Sequence, residues 1–192
     1  MIREARPDEF AALGDLRVAA YEAGGFLTPE YAPELRALGT QGDGTVLVAV
    51  REDRPAAGPT GATAHGPAAG SGGGLADGAG PIAGTIMLVT WPLAGELVGG
   101  PDEAEIRALA VAPGVRNGGV GTGLLLTALN WAELAGARRV VLSTLPQMRA
   151  AHRLYERNGF RRLKDRDWSP RPGIQLLAYS LELGRVAEGQ PG

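Results

Sequence analysis

Several residue types that build common kinds of site are scarce or missing in this chain of 192 residues. There is no cysteine, which excludes disulfides, thiolate metal sites and a cysteine nucleophile. The two histidines, His65 and His152, lie in unrelated contexts, so no histidine-rich metal site is expected. The net charge of −2 provides no basic field, so neither nucleic acid nor an anionic membrane is expected as the main partner.

Long apolar runs are missing as well. No stretch approaches the roughly 20 apolar residues of a membrane span. The first ten residues, "MIREARPDEF", have no apolar core of the kind found in secretory signals. We therefore expect a soluble, cytoplasmic protein, and the lack of cysteine fits a reducing compartment.

One segment, residues 53–81, consists almost wholly of glycine, alanine, proline, serine and threonine. It has too few large apolar groups to offset the entropy of ordering, so it is predicted to be a flexible loop insertion outside the core. His65 lies within it and is expected to be solvated. The remainder of residues 1–184 is predicted to form a single domain, followed by a disordered tail at 185–192.

Apolar periodicity predicts an α+β layer structure on a mixed sheet. In the first predicted helix, Phe10, Leu13, Leu16, Arg17 and Ala20 follow helical spacing. The predicted elements are helices at 7–23 and 28–39, strands at 45–52, 82–91 and 103–113, a helix at 119–136, a strand at 137–145, a helix at 147–159, and strands at 160–163 and 173–183. The strands on either side of the insertion are expected to pair antiparallel.

The stretch "VRNGGVGTGLL", residues 115–125, lies between a predicted strand and a predicted helix. The first amides of a helix have no internal partners, the helix dipole adds positive potential there, and glycines let an anion approach closely. The stretch therefore predicts a phosphate or diphosphate site. A Walker loop is excluded because Val120 follows Gly119, and a dinucleotide fingerprint is excluded because Leu124 stands where its third glycine is required.

Two stretches resemble the GNAT (Gcn5-related) acetyltransferases. "EIRALAVAPGVRNGGVGTGLL" is similar to their motif A, and "LSTLPQMRAAHRLYERNGF" resembles their motif B, so that the match covers about residues 104–163. The resemblance implies the GNAT fold, with a mixed, mostly antiparallel central sheet and helices on both faces. It also implies a bulged first strand and a V-shaped split between parallel strands at 104–111 and 138–145, in which acetyl-CoA lies.

The resemblance further implies which groups bind the cofactor. The backbone groups of Leu109, Ala110 and Val111 would bind the pantetheine arm and the acetyl carbonyl, with the Val111 amide as oxyanion donor. Amides in the glycine turn would hold the diphosphate, and these belong to Asn117, Gly118, Gly119, Val120, Gly121 and Thr122. Gly118 stands where the family often has a basic residue, so the amides would carry more of the binding.

Three further residues accompany this cofactor set. Arg116 is either a phosphate ligand or a brace for the turn. Met148 stands where motif B often has an asparagine, so it would pack against pantetheine rather than make a polar contact. Ala151 completes the set on the motif B helix.

The chemistry that the resemblance implies is acyl transfer by direct attack of a free amine on the thioester. Glu105 occupies the position of the family's carboxylate base, and the alternative is a surface glutamate paired with Arg107. On an unbroken strand Glu105 would share a face with Arg107 and Leu109. Asp102 and Glu103 are weaker candidates for the base.

Tyr155 aligns with the family's general acid, which protonates the leaving thiolate, and the alternative is a core tyrosine. His152 is expected to be exposed or to flank the cofactor without taking part in catalysis. Candidate aromatic residues for the acceptor pocket are Tyr21, Phe26, Tyr31 and Trp91, any of which could equally belong to the core.

Three functional hypotheses follow from these observations. The leading one is an acetyl-CoA-dependent N-acetyltransferase acting on a small-molecule, protein or peptide amine, without metal. The second is a non-catalytic acyl-CoA-binding regulatory module, and the third is a relic of the fold used for oligomer contacts. A homodimer, common in the family, is a further expectation, with the final strand as its candidate edge.

Overall fold

The computed structural model describes residues 1–51, 80–93, 95, 97–116 and 118–184, which form a mixed sheet with helices on both faces. The strands are β1 (Ile2–Glu4), β2 (Thr45–Val50), β3 (Ile82–Thr90), β4 (Glu103–Val111), β5 (Arg139–Thr144), β6 (Arg161–Arg162), β7 (Trp168–Arg171) and β8 (Ile174–Glu182). The helices are α1 (Phe10–Glu22), α2 (Ala32–Ala37), α3 (Val120–Leu134) and α4 (Arg149–Arg157). Nearly all of the predicted insertion, with His65, lies outside the described residues, as do Asn117 and the predicted tail.

The strands follow the order β1-β2-β3-β4-β5-β8-β6. β7 also pairs with β8, but it is not part of this order. The predicted antiparallel pairing of β2 with β3 is confirmed. Between β4 and β5 the pairing is parallel. The final strand β8 lies between β5 on one side and β6 and β7 on the other, so the expectation that it forms a free edge is wrong.

Alternate residues of each strand pack into two core layers. In β2, Leu47 belongs to the main layer, which includes buried residues of α3, whereas Val46 and Val48 pack with Leu13 of α1 on the other face. Both faces of the sheet are therefore covered, which explains why the central strands are continuous apolar runs. In the described part of the chain, no helix has the length and apolar character needed to cross a membrane.

The long elements coincide with their predicted ranges, but β1 and β7 were not predicted. β1 has three residues, too few for periodicity to show. β7 contains Pro170, which lacks an N–H and is typical of sheet edges rather than of central strands. Helix α2 is also shorter than predicted, because it begins at Ala32 rather than near Thr28.

The parallel pair splits partway along its length. Residues 103–106 of β4 pair with residues 139–142 of β5, and the pairing then ends. β4 continues alongside β3 to Val111, and β5 continues alongside β8 to Thr144. The two strands therefore diverge, and the V-shaped split that the resemblance implied is confirmed.

A bulge in β4 lies beside this split. Thr85 of β3 pairs with Ala110 and Met87 pairs with Arg107, so Ala108 and Leu109 both stand opposite one residue of β3. Ala108 has a φ of 49°, a left-handed conformation that is unusual for a residue with a side chain. An extra residue of this kind reverses the alternation of faces in the rest of the strand.

The bulge changes which side chains share a face. Glu105 and Arg107 pair with Val89 and Met87, which belong to the layer beneath α1. Leu109 instead packs against the main core layer. The arrangement expected for an unbroken strand, with Glu105 and Leu109 on one face, is therefore not the one observed.

Candidate functional site

The N-terminus of α3 is open and uncapped. Gly119 occupies the cap position with a φ of 76°, and no side chain makes a capping hydrogen bond there. The first helical bond runs from the Gly123 N–H to the Gly119 carbonyl at 2.9 Å, which leaves the amides of the first turn without helical partners. A Cβ atom placed on Gly119 would meet no atom within 4 Å. These amides and the helix dipole fit a diphosphate.

The end of β4 presents its backbone to the split. Ala112 donates its N–H to the carbonyl of Ala83, in the neighbouring strand β3, at 2.9 Å. Because N–H groups alternate in direction along a strand, the Val111 N–H points the other way, toward the gap between β4 and β5. The side of β4 that lost β5 as a partner can thus bond an extended ligand.

Three elements converge at Gly121 in the first turn of α3. A Cβ atom on Gly121 would lie 3.5 Å from the Val111 side chain and 3.6 Å from that of Leu154 in α4. Leu154 immediately precedes Tyr155. The open helix end, the exposed strand edge and the helix that carries Tyr155 are therefore neighbours.

Tyr155 is held in the core by aromatic contacts. It is 6% exposed, with ring centroids 5.8 Å from Phe160 and 6.2 Å from Tyr179. Its hydroxyl has no hydrogen-bond partner among the described residues. Burial raises the pKa of Tyr155, so the phenol keeps its proton at neutral pH and can act as a donor.

Tyr21 lies on α1, on the opposite face of the sheet from Tyr155, and Arg116 of the glycine turn donates a hydrogen bond to the carbonyl of the preceding residue, Ala20. Burial raises the pKa of Tyr21, and both Tyr31 and Tyr155 add to the rise. The rings of Tyr21 and Tyr31 lie 6.0 Å apart, and both side chains are half-buried. These two predicted acceptor residues therefore lie together at the end of α1 that contacts the glycine turn.

The other two aromatic candidates differ in position. Phe26 follows α1, and its N–H bonds the Tyr21 carbonyl at 2.9 Å, so it stays near the tyrosines. Trp91 is 52% exposed just beyond the end of β3, while the residues of β3 that pair with the exposed end of β4 are Gly84 and Thr85. Trp91 therefore lies several residues further along the sheet, away from the convergence at Gly121.

Glu105 is buried beneath α1, only 2% exposed. Its Oε2 lies 2.9 Å from Arg107 Nη2 and accepts the Gly95 N–H at 3.3 Å. The pairing with Arg107 that the alternative interpretation predicted is present, but the carboxylate is inside the protein rather than on the surface.

The weaker base candidates lie at the other end of β4. Glu103 accepts hydrogen bonds from Arg139, Arg166 and the Gly99 N–H. Burial alone would raise its pKa, but these bonds outweigh burial and lower it. Asp102 is exposed, and its carbonyl accepts the Arg138 N–H at 2.7 Å. Both residues are more than roughly 20 Å along the strand from Val111.

The flanking residues of the predicted cofactor set make internal contacts. Arg116 Nη2 donates to the Ala20 carbonyl at 2.9 Å, which is the contact of a brace between the turn and α1. The Met148 sulfur accepts from the Thr144 hydroxyl at 3.5 Å, just before α4. Ala151 packs against the main core. His152 lies 3.0 Å from the Leu145 carbonyl, consistent with its expected non-catalytic role.

Sequence reasoning did not identify Arg17 as a site residue. It is fully buried in α1, next to the tyrosine pair, and its Nη1 donates to the Leu38 carbonyl at 2.7 Å. The sequence did contain a sign of it, because Arg17 carries a charge at a position where the helical spacing of Leu13 and Ala20 predicts an apolar residue. Buried charges of this kind mark a structural or a binding role.

Comparisons with known proteins agree with this geometry. Residues 58–160, more than half of the chain, match the profile of the acetyltransferase (GNAT) family. No curated protein matches the sequence. Among the described residues, no group of three or more histidine, aspartate and glutamate side chains could hold a metal ion.

Solved structures share the fold at low sequence identity. An acetyltransferase of the GNAT family from Staphylococcus aureus matches with a TM-score of 0.66 and 17% identity, covering 96% of this chain and 99% of that one. YncA from Salmonella typhimurium, solved with its cofactor acetyl-CoA, has a TM-score of 0.61 and 18% identity, covering 99% and 97%. Ribosomal-protein-alanine N-acetyltransferase from Brucella melitensis has a TM-score of 0.60 and 19% identity, covering 95% and 99%.

Proposed function

The chain belongs to the GNAT acetyltransferase family, and from that premise we propose that it is an acetyl-CoA-dependent N-acetyltransferase. Its acceptor is a primary amine, and residues 1–184 form the catalytic domain. The observation that carries the proposal is the convergence at Gly121, where an uncapped helix end, the free edge of β4 and the helix of Tyr155 meet. A homodimer stays a prediction.

The chain's own groups suit the binding of acetyl-CoA, which supplies an acetyl thioester to the reaction. The amides of Val120, Gly121 and Thr122 at the open end of α3 would hold its diphosphate. The freed edge of β4 would bind the extended pantetheine arm as it would bind an additional strand. The Val111 N–H lies at the end of this edge and would donate to the carbonyl oxygen of the acetyl group.

Proton transfer is divided between two side chains on opposite faces of the sheet. The amine nitrogen bonds to the acetyl carbon, the carbon–sulfur bond breaks, and the amine loses one proton. Tyr155, whose phenol is protonated at neutral pH, donates its hydroxyl proton to the thiolate. Glu105 accepts the proton of the amine through a chain of water molecules, because six residues of strand, roughly 20 Å, separate it from Val111. Reprotonation of Tyr155 closes the cycle.

Thermal unfolding and thiol release together test the proposal. Millimolar acetyl-CoA should raise the melting temperature, and free CoA should compete with it, because a ligand bound only by the folded state stabilises that state by mass action. Release of CoA thiol is then followed over a panel of primary amines. Stabilisation without turnover of any amine would favour the regulatory module, and no stabilisation at all would favour the relic of the fold.

A further inference from the structure

Arg17 has hydrogen-bonding capacity that the described protein does not use. The residue is fully buried, and of its three nitrogens only Nη1 has a partner, the Leu38 carbonyl at 2.7 Å. Nε and Nη2 are buried without a hydrogen-bond partner in the part of the chain that the structure describes. A guanidinium keeps its charge in proteins, so unsatisfied donors on it are costly. These two nitrogens are therefore expected to donate hydrogen bonds to an acceptor that the described residues do not supply.

The surroundings of Arg17 place it on the acceptor side of the site. Tyr21 lies one turn further along α1, and Tyr31 packs against Tyr21. Burial lowers the pKa of Arg17, whereas the neighbouring Tyr21, Asp43 and Tyr31 raise it. The carbonyl of Ala20, next to Tyr21, accepts a hydrogen bond from Arg116, so this part of α1 contacts the turn proposed to hold the diphosphate.

Three arginines lie near Tyr31. Burial raises the pKa of Tyr31, and Arg107, Arg17 and Arg171 oppose that rise. Arg107 is paired with Glu105, and Arg171 is paired with Glu34. Arg17 is the member of this trio without an ion-pair partner among the described residues, and the nearby carboxylate is that of Asp43.

Asp43 is the internal candidate for a partner, but the two groups do not form an ion pair. Asp43 Oδ1 is itself buried without a hydrogen-bond partner in the described residues. If Asp43 were the intended partner, both groups would be expected to meet in the folded protein. Nε and Nη2 of Arg17 therefore keep their hydrogen-bonding capacity for another acceptor.

We propose that Arg17 binds the carboxylate of an amino-acid acceptor, held beside Tyr21 and Tyr31 with its amine directed to the split between β4 and β5. The Nε and Nη2 hydrogens of a guanidinium point the same way and match the two oxygens of a carboxylate. The inference rests on the proposed acetyltransfer and names its substrate class, a free amino acid or a close analogue. Arg17 determines specificity and does not touch the reacting atoms.

The first experiment compares substrates on the unaltered protein. The twenty free amino acids, their α-carboxamides and simple alkyl amines are tested at saturating acetyl-CoA. The best amino acid should exceed its carboxamide by about 100-fold in kcat/KM, because an amide leaves the buried cation without a charged partner. Equal turnover of acid and amide, or turnover of alkyl amines alone, would overturn the assignment.

The second experiment uses Arg17→Gln with Asp43→Asn as its control. Arg17→Gln should raise KM for the amino acid at least about tenfold while KM for acetyl-CoA and turnover of the carboxamide stay unchanged. Asp43→Asn should keep the preference for acid over amide. If Arg17→Gln keeps that preference, Arg17 is only structural. If Arg17→Gln does not fold, the same measurements on Arg17→Lys and the substrate comparison on the unaltered protein test the proposal instead.

A binding measurement separates failure of this inference from failure of the proposed function. With CoA present, the melting temperature is measured with about 10 mM N-acetyl amino acid or the matching N-acetyl carboxamide. If no amine is acetylated, the proposed function is wrong, yet protection by the carboxylate alone, lost in Arg17→Gln, still supports the site. If the carboxylate neither raises the melting temperature nor increases turnover, the proposed site is overturned.

Discussion

At the scale of single residues, Tyr155 and Tyr179 form a matched pair for testing the acid. Both rings are buried and neighbouring, but the Tyr179 hydroxyl bonds Glu156 at 3.3 Å, whereas that of Tyr155 has no partner among the described residues. Tyr155→Phe should lower kcat at least about tenfold and leave acetyl-CoA affinity nearly intact, because only proton donation is lost. Tyr179→Phe should keep kcat. Steady-state kinetics decides, and equal kcat in both variants would remove Tyr155 from the mechanism.

Glu105 can be tested in the same way against Glu103. Both carboxylates are buried on β4 and paired with arginine, but only Glu105 pairs with Arg107, on the face of the sheet that α1 covers. Glu105→Gln should reduce kcat/KM about 10- to 100-fold near neutral pH in steady-state kinetics, because the amide cannot accept the proton of the amine. Glu103→Gln should cost stability while keeping kcat/KM. If Glu105→Gln keeps kcat/KM as well, the Glu105 carboxylate serves only to hold Arg107.

At the scale of elements, the open end of α3 separates binding from folding. Gly119 and Gly136 both have positive φ, 76° and 90°, and a Cβ on either would meet no atom within 4 Å. Alanine at either position should cost a similar ~1–2 kcal/mol, because the left-handed conformation disfavours a side chain. Only Gly119→Ala should also weaken acetyl-CoA binding, by at least about tenfold in calorimetry. Equal affinity in the two variants would place the diphosphate elsewhere.

The elements also show what the sequence could and could not predict. The strand–glycine–helix turn could be predicted because its information is local: the residues that form it are consecutive. The bulge at Ala108 was implied by the resemblance, but its effect on Leu109 depends on the register with β3 and is not visible in spacing alone. Likewise, the hydrogen bond from Arg116 to the Ala20 carbonyl depends on how α1 packs beside the glycine turn.

At the scale of the whole molecule, one carboxylate joins the first strand to the first helix. Glu9 is 6% exposed and bonds Arg3 at 2.8 and 2.6 Å and the Arg6 N–H at 2.8 Å. The hydrogen bonds from Arg3 lower the pKa of Glu9 from 4.5 to about 2, against the opposing effect of burial. Glu9 therefore stabilises the folded state above its unfolded pKa, and this stability is lost as the pH falls toward its folded pKa.

Urea unfolding of Glu9→Gln at several pH values measures this contribution. Near neutral pH the variant should be less stable by no more than about 3 kcal/mol, and the difference should shrink as the pH falls from about 4.5 to about 2. Asp8→Asn is the control, since the Asp8 side chain is 73% exposed and should change little. A constant difference at every pH would show that Glu9 acts through packing rather than charge.

The whole fold was predictable to the extent that its segments are long and periodic. β1 and β7 escaped prediction because one is very short and the other contains a proline. The role proposed for Arg17 escaped it for another reason: a charged residue at an apolar position signals burial but not what it faces. That depends on Tyr31 and Asp43, which are distant in sequence.

The early end of the β4–β5 ladder has a mechanical consequence. Among the described residues, strand pairing of 103–106 with 139–142 joins the half-sheet of β1 to β4 with that of β5 to β8, while each half is continuous in itself. This is the shortest ladder among the central strands β2, β3, β4, β5 and β8, and it ends where the proposed cofactor would lie. A cofactor bound along both strands would link the two halves, so the free protein should open more easily along this ladder than the cofactor-bound protein.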